Sequence, residues 1–270
     1  MTDAKIAATP DDIVVFRVSV RFLGRALRPE LLALAGLLGV ATFIGFSFMI
    51  LEGAVLDYPD ELSTLIPLVA FLLPFRLWSM LRLFDRSDFW TLPVERQKHV
   101  LIRVGAGGVW VLGLTSLVVV WFNVLAVMSG GLKFSQWAGL SASTVMASGL
   151  YLAPFGAAVV AYLFGSALAI GLRYPVRWVL GAALVSMIFI GMGPDRLASS
   201  MAQTLGQGYF GLDAVLTGGI GVWREQVQHA GASAILDPPS TARWLMALTL
   251  WLGAGLALVG AASARHRERG

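Results

Sequence analysis

Phe84–Arg103, FDRSDFWTLPVERQKHVLIR, packs charges, aromatics and a helix start into a few residues. Asp85, Arg86 and Asp88 make a short charged turn, with Phe89 and Trp90 beside it. Pro93 suits the first turn of a helix, and Glu95 favours its positive end. Arg96, Lys98 and Arg103 follow. A basic inside loop leading into a proline-started helix accounts for these charges, but it does not require the Phe89/Trp90 pair next to the acidic turn.

Catalytic chemistry has little to draw on elsewhere. The chain has no cysteine, which removes disulfides, thiolate metal sites and cysteine nucleophiles. Its 3 histidines, His99, His229 and His266, fall outside the apolar runs, and no two share a metal-ligand spacing. There is no G-x-x-x-x-G-K-[ST] loop to cradle ATP phosphates and no G-x-S-x-G elbow. We expect no enzyme activity, no cofactor and no metal in this chain.

The elements that must carry the turn are apolar. Of the 270 residues 57% are hydrophobic and 13% charged, about half the charged fraction of a soluble domain. The apolar residues fall in runs of about 20, long enough to cross some 30 Å of hydrocarbon. Charge sorts between the runs. Most of the 20 Lys/Arg lie in Lys5–Arg28, Arg76–Arg103, Arg173–Arg177 and Arg265–Arg269, whereas the alternating stretches hold only Lys133, Arg196, Arg224 and Arg243. Short Lys/Arg-rich loops stay on the cytoplasmic side, so the alternation gives an even number of spans with both ends inside. The basic residues are sorted by leaflet rather than gathered into a stripe for phosphates, which argues against nucleic acid.

The expected fold is all-α: a polytopic inner (cytoplasmic) membrane protein with six transmembrane helices. Residues 1–28 form an interfacial amphipathic helix, 29–263 the six-span domain, and 264–270 a cytoplasmic tail. The spans are placed at Leu31–Ile50, Leu62–Leu83, Val104–Val127, Ala138–Leu172 (one long, kinked or tilted helix containing Pro154), Trp178–Gly193 and Arg243–Ser263. Arg76 and Arg82 sit in the inner half of the second, where they are expected to snorkel. No Asp or Glu lies deep in any span, which argues against a self-powered, ion-coupled transporter. Aromatics such as Phe43, Trp121 and Phe155 are available to line a path. Gly253, Ala257 and Ala261, and Gly149, Ala153 and Gly156, form small-residue faces suited to close helix packing.

Two flanking segments carry further expectations. Pro10 and Asp12 suit the start of a helix, with Thr9 as cap. Arg17, Arg21, Arg25 and Arg28 then share one face, and Phe16, Val20, Leu23 and Leu27 another. Such a helix lies in the cytoplasmic interface, either as a simple anchor with its apolar face in lipid and its arginines toward anionic headgroups, or as an elbow packed on other spans. Between spans five and six, residues 194–242 form a helical extracytoplasmic segment. Its helices, Leu197–Leu205 and Leu212–Val227, either dip back into the outer leaflet or cap the surface.

An apolar span, a short charged turn and then T-L-P-V-x-R leading into a Gly-rich span resemble the permease subunits of ABC-2 type exporters. The match centres on Leu92, Pro93 and Arg96 within Asp85–Arg96, and the resemblance extends to the topology. It implies that residues 84–92 are a coupling turn, with Asp85, Arg86, Asp88, Phe89 and Trp90 seated in a groove of a separate ATPase subunit, two copies per complex. ATP and Mg would be bound by that partner. A second permease, identical or related, and membrane lipid would complete the assembly around a path for an amphipathic or lipid-like substrate. A non-transporting membrane scaffold is the competing expectation.

Overall fold

The computed structural model describes residues 10–52, 62–81, 96–129, 148–172, 174–192, 211–216 and 241–268. Among them are eight helices and no strand. In chain order these are α1 (Pro10–Ala26), α2 (Arg28–Glu52), α3 (Leu62–Leu81), α4 (Arg96–Ser129), α5 (Ser148–Gly171), α6 (Pro175–Met192), α7 (Leu212–Leu216) and α8 (Thr241–Glu268). Stretches of α2, α4, α5 and α8 are long and apolar enough to cross a membrane, and α3 and α6 hold shorter apolar segments. The chain is a helical membrane protein with these four candidate spans.

Helix starts follow the local chemistry. Pro10 and Pro175 open α1 and α6, where a missing N–H is harmless. Pro67, Pro74 and Pro154 lie inside α3 and α5 and are buried there, as neighbouring helices in a bundle permit. Polar side chains in the spans are largely satisfied within their own helix. Thr42, Ser47, Ser116 and Thr249 donate to the carbonyls of Leu38, Phe43, Leu112 and Leu245, one turn back.

The centre of the bundle is α5. About 61% of its apolar window is buried, against 6% for α2. It packs between α3 and α8 and also touches α4. Lipid tails are as apolar as leucine, so hydrophobicity does not drive spans together; close approach does. Gly165 lets α5 lie on the backbone of α3, where a Cβ would collide with the Phe71 carbonyl. Gly255 admits Leu163, and Gly171 lies against Ala262. On α4, Gly107 leaves room for the Tyr162 ring, whose hydroxyl donates to the Val104 carbonyl at 2.9 Å. Of the small-residue faces read from sequence, Ala153 and Gly156 are used, with Gly156 against Leu248. The other, Gly253, Ala257 and Ala261, is not packed within this chain, where α8 turns Gly255, Val259 and Ala262 inward.

Of residues 194–242, the described part is 211–216 and the start of α8. Ala214 and Val215 of α7 are buried with Ala157 and Val160 of α5 and Ala247 of α8. Those partners lie roughly 7 Å or more, at 1.5 Å per residue, inside the span ends at Leu152 and Ala242. The short helix therefore packs against α5 and α8 more than one helical turn inside their apolar stretches.

Replacing Gly165 by Ala is expected to lower the unfolding midpoint in detergent, through a stability loss of about 1–3 kcal/mol for an overpacked crossing. Gly36→Ala, where the space around the glycine is open, should leave it unchanged or raised. Equal behaviour of the two variants would remove α5 from the centre of the packing.

Candidate functional site: the braced stems of residues 82–95

Asp85, Arg86, Asp88, Phe89 and Trp90 lie outside the described residues, as do Arg82 and Pro93. The helices that flank them are described. α3 ends at Leu81, and α4 begins at Arg96. What holds those two stems is therefore the part of the site with visible geometry.

Both stems are gripped by the α1–α2 elbow. A single turn residue, Leu27, separates α1 from α2, and the backbone bonds Leu27 N–H to Leu23 O and Leu31 N–H to Leu27 O carry the chain through. Leu27 is 1% exposed and packs with Leu23, with Leu77 of α3 and with Ala106 of α4. Phe16, Val20, Leu73 and Trp110 surround this cluster. Trp110 Nε1 donates to the Val20 carbonyl at 2.9 Å, and its ring occupies the space that a Cβ on Gly24 would need. The face Phe16/Val20/Leu23/Leu27 thus packs against α3 and α4. The simple anchor with that face in lipid is corrected to the elbow, because the apolar stripe finds partners in the bundle.

Two ion pairs complete the grip. Lys98 Nζ, in the first turn of α4, lies 2.7 Å from Asp12 Oδ2 of α1. Arg76 Nε of α3 donates to Glu30 Oε1 of α2 at 3.0 Å. Arg76 therefore pairs rather than snorkelling alone, since Glu30 stands in the first turn of α2 within its reach. Half-exposed pairs of this kind contribute about 0.2–1 kcal/mol each. Their value here is register: α1 is tied to the start of α4, and α2 to α3 near its end. Farther along, Trp121 Nε1 donates to Thr42 Oγ1 at 3.0 Å and ties α2 to α4.

The interfacial arginines divide from that packing. Arg17, Arg21 and Arg25 are exposed on α1, and Arg28 is exposed at the head of α2. On α5 and α8, Gly171 meets Ala262 at the C-terminal end of α5. At the start of α6, the Arg177 guanidinium lies 4.9 Å from the centre of the Tyr174 ring.

Sequence reasoning missed Asp12, Gly24, Lys98 and Trp110 as a set. Gly24 was the available signal: a glycine inside an otherwise regular helical pattern marks a close approach. Comparison with family models, with curated proteins and with solved structures finds no match for this chain.

Charge reversal tests the brace. Lys98→Glu alone should lower the thermal midpoint and expose α1 to protease, a loss of about 1 kcal/mol. The swap Asp12→Lys with Lys98→Glu should recover most of it. A single variant as protected as the native chain would separate α1 from α4.

Proposed function

We propose that this chain is the membrane-spanning permease subunit of an ATP-driven exporter of the ABC-2 type. In this reading six spans, with α3 and α6 added to the four longer helices, surround or line a path for an amphipathic or lipid-like substrate. The chain works with a second permease and with two copies of a separate ATPase that binds ATP and Mg.

The observation that carries the reading is the combination at residues 82–95. The charged and aromatic turn Asp85–Trp90, followed by L-P-V-x-R, stands between two helices that the α1–α2 elbow grips separately, α3 through Arg76–Glu30 and α4 through Lys98–Asp12. A turn that passes on the motion of an ATPase has to move its spans as rigid bodies. A loosely held loop would absorb that motion. Stems fixed by a buried cluster and two ion pairs would hand it to α3 and α4, and through Gly165 and Tyr162 to α5. The apolar spans, with no carboxylate in their interiors, suit an amphipathic cargo driven by a partner's ATP rather than by an ion gradient.

Affinity purification of the full chain from its native membranes should recover a protein with a P-loop and no spans. Asp85→Lys with Asp88→Lys, or Phe89→Ala, should lower that recovery or leave ATP hydrolysis running without transport, while the chain stays monodisperse. Repeated purifications without a P-loop protein, or variants coupled as well as the native chain, would sink the assignment.

A further inference from the structure

The side of α1 turned away from the bundle carries two ridges that the packing does not use. Arg17, Arg21 and Arg25 are exposed along one, and among the described residues none of the three forms an ion pair. Val14, Val18 and Phe22 form the other, at 59%, 59% and 54% exposure. Both repeat every four residues, so the ridges run side by side along the helix. This apolar ridge is distinct from Phe16/Val20/Leu23/Leu27, which packs on α3 and α4.

The position of α1 fixes what can meet these ridges. Two residues after the end of α1, Arg28 heads the first candidate span, Arg28–Leu51, and is itself exposed. The end of α1 therefore stands at the depth where a span leaves the hydrocarbon, which is the depth of lipid headgroups. A soluble acidic partner would explain the arginines and leave Val14, Val18 and Phe22 in water. A lipid surface satisfies both ridges at once: apolar side chains enter the boundary with the acyl chains, and guanidiniums reach the phosphates.

We propose that α1 is a binding surface for anionic phospholipid headgroups, and that leaflet charge sets how firmly the stems of residues 82–95 are held. The link is mechanical. α1 is tied to α4 by Asp12–Lys98 and by Trp110 on Val20, and the elbow continues into Glu30–Arg76 on α3. Headgroups that fix α1 thereby fix both stems. This inference rests on the chain being a membrane protein and is independent of any transport activity.

The test uses the purified full chain in nanodiscs of phosphatidylcholine alone or of phosphatidylcholine with phosphatidylglycerol. Native mass spectrometry reads retained lipid, and hydrogen exchange reads protection of α1 and of the start of α4. The native chain should retain phosphatidylglycerol preferentially, lose it as salt is raised, and gain protection in both segments. Replacing Arg17, Arg21 and Arg25 together by Gln should abolish the preference and the gain, with affinity falling about fivefold per arginine removed. The same three positions as Lys should keep most of both, which separates lost charge from lost folding. Val14→Ser, Val18→Ser and Phe22→Ser together should weaken retention with every arginine in place. Soluble glycerophosphate should bring no protection. Retention by the Gln variant equal to that of the native chain, no preference in the native chain, or full protection by glycerophosphate would overturn the proposal.

Discussion

The closeness with which helices can approach α5 is the constraint on which the other arrangements depend. Where lipid rather than water surrounds a bundle, burying leucine against leucine gains little, and association rests on contact between backbones and on satisfied polar groups. Gly165 on the Phe71 carbonyl, Leu163 over Gly255 and Tyr162 across Gly107 are three such approaches, made to α3, α8 and α4 respectively. They set the relative positions of α3 and α4. The separation of the two stems of residues 82–95 is therefore decided by small residues deep in the bundle.

The α1–α2 elbow adds a second level of control at the end of those stems. It uses a mixed device: an apolar cluster around Leu23 and Leu27, one indole hydrogen bond, and two ion pairs near the bundle surface. The cluster supplies affinity between helices, whereas the pairs and the indole fix rotation and register. The elbow grips α3 and α4 separately, so the segment between them is supported from both sides. In the proposed reading this is what allows a docked ATPase to drive spans instead of deforming a loop. By contrast, most side chains of α2 and of residues 175–185 of α6 are exposed within this chain.

The sequence made the membrane class legible because hydrophobic runs and charge sidedness are one-dimensional signals. The extents of α2 and α8 fall close to the apolar runs, α5 covers residues 148–171 of the run Ala138–Leu172, whose first ten residues lie outside the described ones, and α1 starts at Pro10 as its turn chemistry dictates. Which face of a helix meets which neighbour was less legible. Gly253, Ala257 and Ala261 form as good a small-residue stripe as Gly156 with Ala153, yet only the second is packed within the chain, since a stripe does not name its partner. Arg76 was read as a snorkelling residue because Glu30 is 46 positions away, and a pair at that separation leaves no periodic trace. Asp12 fitted a capping role well enough to hide Lys98. For the turn itself, Asp85–Trp90, the residue types carry the whole argument.

The most direct measurement of the central claim is photocrosslinking from the turn in native membranes. With a photoreactive phenylalanine analogue at Phe89 in the full chain, irradiation should join the protein to a subunit that carries a P-loop. The same probe at Phe43 on the outward face of α2 should not. Crosslinks from position 89 to lipid alone, or to proteins without a nucleotide-binding loop, would contradict the account.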